Sequence, residues 1–205
     1  MAKRQALVLL SALVLVAPAA YASGAGWYGG AGGGWTKAKG GATGIDPDLA
    51  AEGGTATHVH DSDTGWKVYG GYQFNSNFAL EGSYANLGKF TVDATIPGGT
   101  EYAEVKPDAW CAAAVGILPL PQRFSLLGKV GGCRWNDHSS IVETIGGTET
   151  YELPDSTGTD VMYGLGARYD FTRNLGARVE WERYENVIHN ANGVDLWSGS
   201  LQYSF

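Results

Sequence analysis

Residues 160–185 read DVMYGLGARYDFTRNLGARVEWERYE. Val161, Tyr163, Leu165, Ala167, Tyr169 and Phe171 alternate with Met162, Gly164, Gly166, Arg168 and Asp170. A β-strand sends successive side chains to opposite faces, so one face here is apolar and the other mostly small or charged. Thr172-Arg173-Asn174 interrupts the alternation with turn-forming residues. The pattern then resumes, with Leu175, Ala177, Val179 and Trp181 opposite Gly176, Arg178, Glu180 and Glu182. The stretch reads as one hairpin. Its aromatics stand near the strand ends, and its charges sit in mid-strand on the other face.

Six more segments repeat the pattern: 25–36, 64–74, 78–87, 107–118, 124–136 and 194–205. Their lengths match the ~9–11 residues that a tilted strand needs to cross a bilayer. Three connections are tight, at 75–77, 119–123 and 172–174, and alternate with longer polar segments at 37–63, 88–106, 137–159 and 186–193. A meander connected this way has all its turns at one end and all its loops at the other. A soluble sandwich gives no reason for that asymmetry. The expected fold is all-β, an eight-stranded antiparallel transmembrane up-and-down β-barrel.

Parity then separates lumen from lipid. The inward charges are Lys67, Glu81, Lys129, Arg168, Arg178, Glu180 and Glu182, with Asp170 near the inner rim. Charges removed from bulk water must be paired or stay hydrated. These residues are therefore expected to form a salt-bridged plug; the alternative is a gate in a narrow path for ions or small solutes. An eight-stranded barrel is just wide enough for side chains to fill. Small inward positions must make room for the long charges, and Gly30, Gly32, Gly34, Gly71, Gly131, Gly164, Gly166 and Gly176 are the candidates.

The composition agrees with this reading. The chain has 205 residues, 31 of them glycine, 12% aromatic and only 17% charged. That is room for one domain or two small ones. A net charge of −7 argues against nucleic acid as a partner. Residues 1–22 read as a secretory signal peptide: Lys3 and Arg4, an apolar run over 6–16 broken only by Ser11, then Ala20-Tyr21-Ala22 as a cleavage site. Residues 23–205 are then the barrel, exported through the periplasm to the outer membrane.

Several short motifs strengthen the reading. They are Trp27-Tyr28-x-Gly30-Ala31, Gly70-Gly71-Tyr72-Gln73, the run Leu127-Gly128-Lys129-Val130-Gly131-Gly132, and Ala177-Arg178-Val179-Glu180. In order and on the right strands, they resemble the OmpA-like eight-stranded outer-membrane barrels over nearly all of 27–205. The ending Leu201-Gln202-Tyr203-Ser204-Phe205 is similar to the family's assembly signal, which implies Tyr203 and Phe205 as contacts for the barrel-assembly machinery. The resemblance implies an outer-membrane location among lipid and lipopolysaccharide. It leaves the role open, because the family includes adhesins, invasins and envelope-stabilising proteins. The peptidoglycan-binding domain that follows the barrel in OmpA has no counterpart in these residues, so cell-wall tethering is not an expectation.

Chemistry-bearing residues are few. His58, His60, Asp61 and Asp63 cluster as HVHDSD in the first long loop, read as a solvated loop rather than a metal site. His138 and His189 stand alone. Small lipid A deacylase barrels use a His with a Ser two residues on, whereas His189 is followed by Asn190 and Ala191. No catalytic residue, enzyme activity, metal or cofactor is expected. The long segments are acidic: 136–160 holds Asp137, Glu143, Glu149, Glu152, Asp155 and Asp160 with no Lys or Arg. Such loops would be repelled by lipopolysaccharide unless divalent cations bridge them, and a host or envelope protein is a candidate partner. Finally, Cys111 and Cys133 lie symmetrically about residue 122. A hairpin closing there sets them opposite each other, where a disulfide can form in the oxidising periplasm; otherwise they are two small apolar residues that never meet.

Overall fold

The computed structural model describes residues 25–39, 55–96, 99–145, 148–152, 155–186 and 193–205. The expected signal segment, His189 and most of the first long loop lie outside them. The described strands are β1 (Gly26–Ala38), β2 (Thr55–His60), β3 (Ser62–Gln73), β4 (Phe78–Asn86), β5 (Phe90–Ile96), β6 (Gly99–Pro119), β7 (Phe124–Ile145), β8 (Thr148–Glu152), β9 (Asp155–Asp170), β10 (Leu175–Tyr184) and β11 (Val194–Ser204). Eight of these close a barrel in the order β1-β3-β4-β6-β7-β9-β10-β11, every neighbour antiparallel. Closure comes from β1, which pairs with β3 on one side and β11 on the other. A closed sheet leaves no unpaired edge within the wall, the condition for crossing lipid with strands.

Parity decides which face meets lipid. Leu165, Val179 and Leu201 are 60–66% exposed, while Arg178 and Glu180 are each 2% exposed. The outward band is therefore apolar and the inward face is closed off. Aromatics cluster on the outward face near the strand ends, as in the Trp66, Tyr84 and Trp110 group and the Tyr169 and Phe171 pair. The tight turns are capped by side chains. Asn75 Oδ1 accepts from the backbone N–H groups of Asn77 (2.8 Å) and Phe78 (3.0 Å). Thr172 Oγ1 does the same for Asn174 (3.2 Å) and Leu175 (2.9 Å). In the turn between β6 and β7, Gln122 and Arg123 both adopt positive φ, 63° and 68°, which suits the twist of a tight hairpin.

The loop end departs from the sequence reading. Segments 88–106 and 137–159, read as polar loops, continue the barrel wall as strands. β6 is 21 residues and β7 is 22, paired without a break from Pro119 opposite Ser125 up to Gly99 opposite Ile145. β5 adds to β6, β2 adds to β5, and β8 adds to β7. Charges in these segments are interspersed with β-branched residues that favour strands, among them Thr91, Val92, Thr95, Ile96, Ile141, Val142, Thr144 and Ile145. Crossing the bilayer uses ~11 residues, so ~10 residues of β6 remain, ~30 Å of strand beyond the membrane.

Candidate functional site: the closed lumen

Six of the seven predicted inward charges meet in mid-lumen. Lys67 Nζ lies 2.7 Å from Glu180 Oε2 and 2.6 Å from Glu182 Oε2. Lys129 Nζ lies 2.6 Å from Glu81, 2.7 Å from Glu180 and 3.0 Å from Glu182. Arg178 donates to Glu81 Oε2 at 2.9 Å and approaches Glu180 at 3.8 Å. Three cations thus face three carboxylates, so every charge has an opposite partner, while Arg178 Nε is left without a hydrogen bond. Register explains the fit. Glu81 stands opposite Gly71 and Ala113, Lys67 opposite Gly32 and Ala85, and Glu180 opposite Gly166 and Ser198. Each long side chain therefore lies across small neighbours. A Cβ on Gly166 would sit 2.7 Å from Glu180 Cγ, and one on Gly164 would sit 2.9 Å from Glu182 Cγ. Outward Gly128, by contrast, has nothing nearer than Leu165 at 3.9 Å.

Three tyrosines complete the network, and the sequence reading did not assign them to it. Tyr28 Oη donates to Glu81 at 2.9 Å and Tyr184 Oη to Glu182 at 3.4 Å. Tyr69 Oη shares a 3.1 Å hydrogen bond with Ser200, and its ring lies 4.8 Å from the Arg178 guanidinium. The signal was parity: all three occupy inward positions on strands whose other aromatics point to lipid.

Arg168 does not join. It stands directly opposite Arg178 on the β9–β10 ladder, and like charges so placed repel. Arg178 turns to the glutamates, and Arg168 is left at the turn end beside Asp170, with Nε 3.2 Å from Oδ1.

The lumen is layered. On the loop side of the ionic network lies an apolar layer that includes Leu87, Phe90, Trp135, Met162, Tyr184, Val194 and Leu196, buried together. On the turn side, Tyr28, Tyr69, Ala79, Val115, Ile117 and Leu127 form a second, smaller one. The sequence reading had the inner face polar or small throughout. Its loop-side third is mostly apolar instead, with Thr36 and Asp137 as buried exceptions, because side chains there meet one another across the barrel rather than water.

Cys111 and Cys133 belong to the loop-side layer. They are direct partners in the β6–β7 ladder, with Cα atoms 4.0 Å apart, and their Sγ atoms are bonded. At the loop end, His60 is exposed and the His58 side chain lies outside the description. Asp63 Oδ2 accepts from the Lys89 backbone at 2.6 Å, so it caps a loop. Beyond the membrane, the hydrogen bond from Lys106 and the proximity of Lys89 hold the Glu104 carboxyl below the usual carboxylate range. Tyr203 and Phe205 pack edge to face on the lipid side, 5.1 Å between centroids, and the Phe205 N–H bonds Trp27 O at 2.9 Å.

A closed eight-stranded wall, an apolar outer band and a paired ionic lumen define a small transmembrane barrel of the outer-membrane class. The chain belongs to the outer-membrane protein β-barrel domain family, whose model matches residues 6–205. It is an outer-membrane protein of OmpA-like type. It is 24% identical to outer membrane protein A of Escherichia fergusonii over 136 residues, 66% of this chain and 37% of that protein. It is 28% identical to outer membrane protein A of Yersinia pseudotuberculosis over 130 residues, 63% of this chain and 35% of that one. The chain thus spans about a third of these relatives' length. Among solved structures, Ail, the attachment invasion locus protein of Yersinia pestis, superposes with TM-score 0.53 at 14% identity, over 90% of this chain and 100% of Ail. OprG of Pseudomonas aeruginosa gives 0.51 at 14%, over 89% and 97%. A further structure holds Ail in complex with the heparin analogue sucrose octasulfate, with TM-score 0.54 at 14%, over 89% and 99%. At these identities the likeness is one of fold.

Proposed function

We propose that the protein is a closed, non-catalytic barrel that presents an extracellular arm, with a structural or surface-interaction role. The observation that carries this reading is the six-charge network, completely paired and covered by an apolar layer on the loop side. An ion crossing the lumen would have to part buried ion pairs and then cross a dry layer. Each step is costly in a low-dielectric interior. The arm built from β2, β5, β6, β7 and β8 supports the second half of the proposal, since ~30 Å of paired strand has no purpose in sealing a membrane. Its acidic segments favour a basic protein surface, or lipopolysaccharide bridged by divalent cations, over a sulfated sugar. Tyr203 and Phe205 serve in this reading as the contact for the assembly machinery.

Planar-bilayer recording of the purified protein tests it. The expected result is no conductance above the lipid leak, with or without the network variant K129M, because the apolar layer remains. Stable open steps in the unaltered protein would instead establish a small pore for ions or small solutes.

A further inference from the structure

A second group of lumen charges lies outside the plug. A cavity of about 800 Å³ opens at the turn end of the barrel, between the start of β1 and the turns that follow β6 and β9. Arg123, Arg168 and Arg173 line it, against a single carboxylate side chain, Asp170. Each arginine has donors to spare. Arg168 is turned away from the glutamates by Arg178, and its buried Nε–H has no hydrogen-bond partner, since Asp170 Oδ1 at 3.2 Å is off the N–H direction. Arg123 uses one N–H on the Phe171 carbonyl at 2.8 Å. Arg173 is exposed and makes no ion pair among the described residues.

Three guanidiniums share this hollow with one carboxylate side chain, so its lining side chains are net positive and favour an anion. A guanidinium carries five donors in a planar fork and accepts nothing, and that fork matches the oxygens of a phosphate. The volume is within the ~300–1,000 Å³ of small-molecule sites. Depth gives the second half of the argument. Phe171 and Phe205 line the same cavity, and aromatics at strand ends mark the headgroup level of the bilayer. The hollow therefore opens at the height of the phosphates of the inner leaflet.

We propose that this vestibule is a phosphate-binding site entered from the periplasmic side. Its ligand is the phosphate of a phospholipid headgroup or free phosphate, held by Arg123, Arg168 and Arg173. The site is independent of the role assigned to the plug and the arm.

The test is an NMR titration of the arginine side-chain N–H signals of the purified protein in a phosphate-free maltoside detergent. Inorganic phosphate should shift Arg168 and Arg173 saturably. The variants R173Q and R123Q, on exposed turns away from the packed lumen, should each weaken binding ~fivefold or more, while K37Q at the opposite end should not. A second arm places the protein in phosphatidylglycerol nanodiscs. If headgroups fill the site, the same signals are already shifted and added phosphate changes nothing; if free phosphate is the ligand, they shift only on its addition. No saturable shift in either arm, or unchanged affinity in both R173Q and R123Q, overturns the proposal.

Discussion

Replacing Lys129 by methionine should be the most damaging single change in the lumen that keeps side-chain volume. Its ammonium touches Glu81, Glu180 and Glu182, all within 3.0 Å. K129M leaves three buried carboxylates facing two cations, Lys67 and Arg178. Breaking a buried ion pair from one side costs about 3–5 kcal/mol, mostly the penalty of the charge left behind. The double variant K129M/E182Q isolates that cause. It leaves Lys67 with Glu180 at 2.7 Å and Arg178 with Glu81 at 2.9 Å, two balanced pairs. Glutamine at 182 can still accept from Lys67. The double variant should therefore recover at least half of the lost stability, although it is altered at one more site. Urea unfolding in lipid, followed by tryptophan fluorescence and by heat-modifiable gel mobility, gives both numbers. A loss below about 1 kcal/mol for K129M, or a double variant less stable than the single, would refute charge balance as the organising principle of this lumen.

Other substitutions test the rest of the architecture. Changing Cys111 and Cys133 to serine should cost about 3 kcal/mol in the same unfolding assay, the chain-entropy value for a 22-residue separation, and should abolish the mobility difference between reduced and non-reduced unfolded protein. G166A should destabilise by about 1–3 kcal/mol, because the new methyl meets Glu180 Cγ, while outward G128A should be neutral or mildly stabilising. V130K places a charge on an outward residue that is 58% exposed, and should cost about 2–4 kcal/mol if that position is near the bilayer midplane. Excising 91–104 and 139–154, each replaced by a short turn, should leave a barrel that still shows heat-modifiable mobility; failure of that trimmed barrel to fold would mean the arm is part of the folding core.

Much of the wall could be read from alternation because lipid and lumen make opposite demands on neighbouring residues. β10 is the clear case: Val179 cannot exchange places with Glu180 without putting a carboxylate in hydrocarbon. β6 is the hard case, since 109–118 is apolar at both parities. Only the layered lumen explains it: Cys111, Val115 and Ile117 fill apolar layers inside, while Trp110 and Leu118 face lipid. The position of Arg168 was illegible for a different reason. Parity places it in the lumen, but its exclusion from the plug depends on Arg178 being its cross-strand partner, and register between strands is a tertiary fact. The arm is hard to read from sequence because 88–106 and 137–159 mix charges with β-branched residues, which blurs the alternation of a strand.

The order of the layers has a physical consequence of its own. The larger apolar layer sits on the loop side of the ionic network, the smaller one on the turn side, and the open cavity lies beyond the smaller one. The loop-side layer is the more extensive seal. If the ion pairs exchange partners, the seal above them remains. The Cys111–Cys133 bridge lies within that seal, three ladder positions from Asp108 opposite Asn136, where Asn136 Nδ2 donates to Asp108 Oδ1 at 2.9 Å. It ties β6 to β7 just below the arm they carry. A load on the arm is then passed to a covalently joined pair of strands rather than to hydrogen bonds alone. Under the role proposed above, the bridge holds β6 and β7 in register beneath the arm they carry.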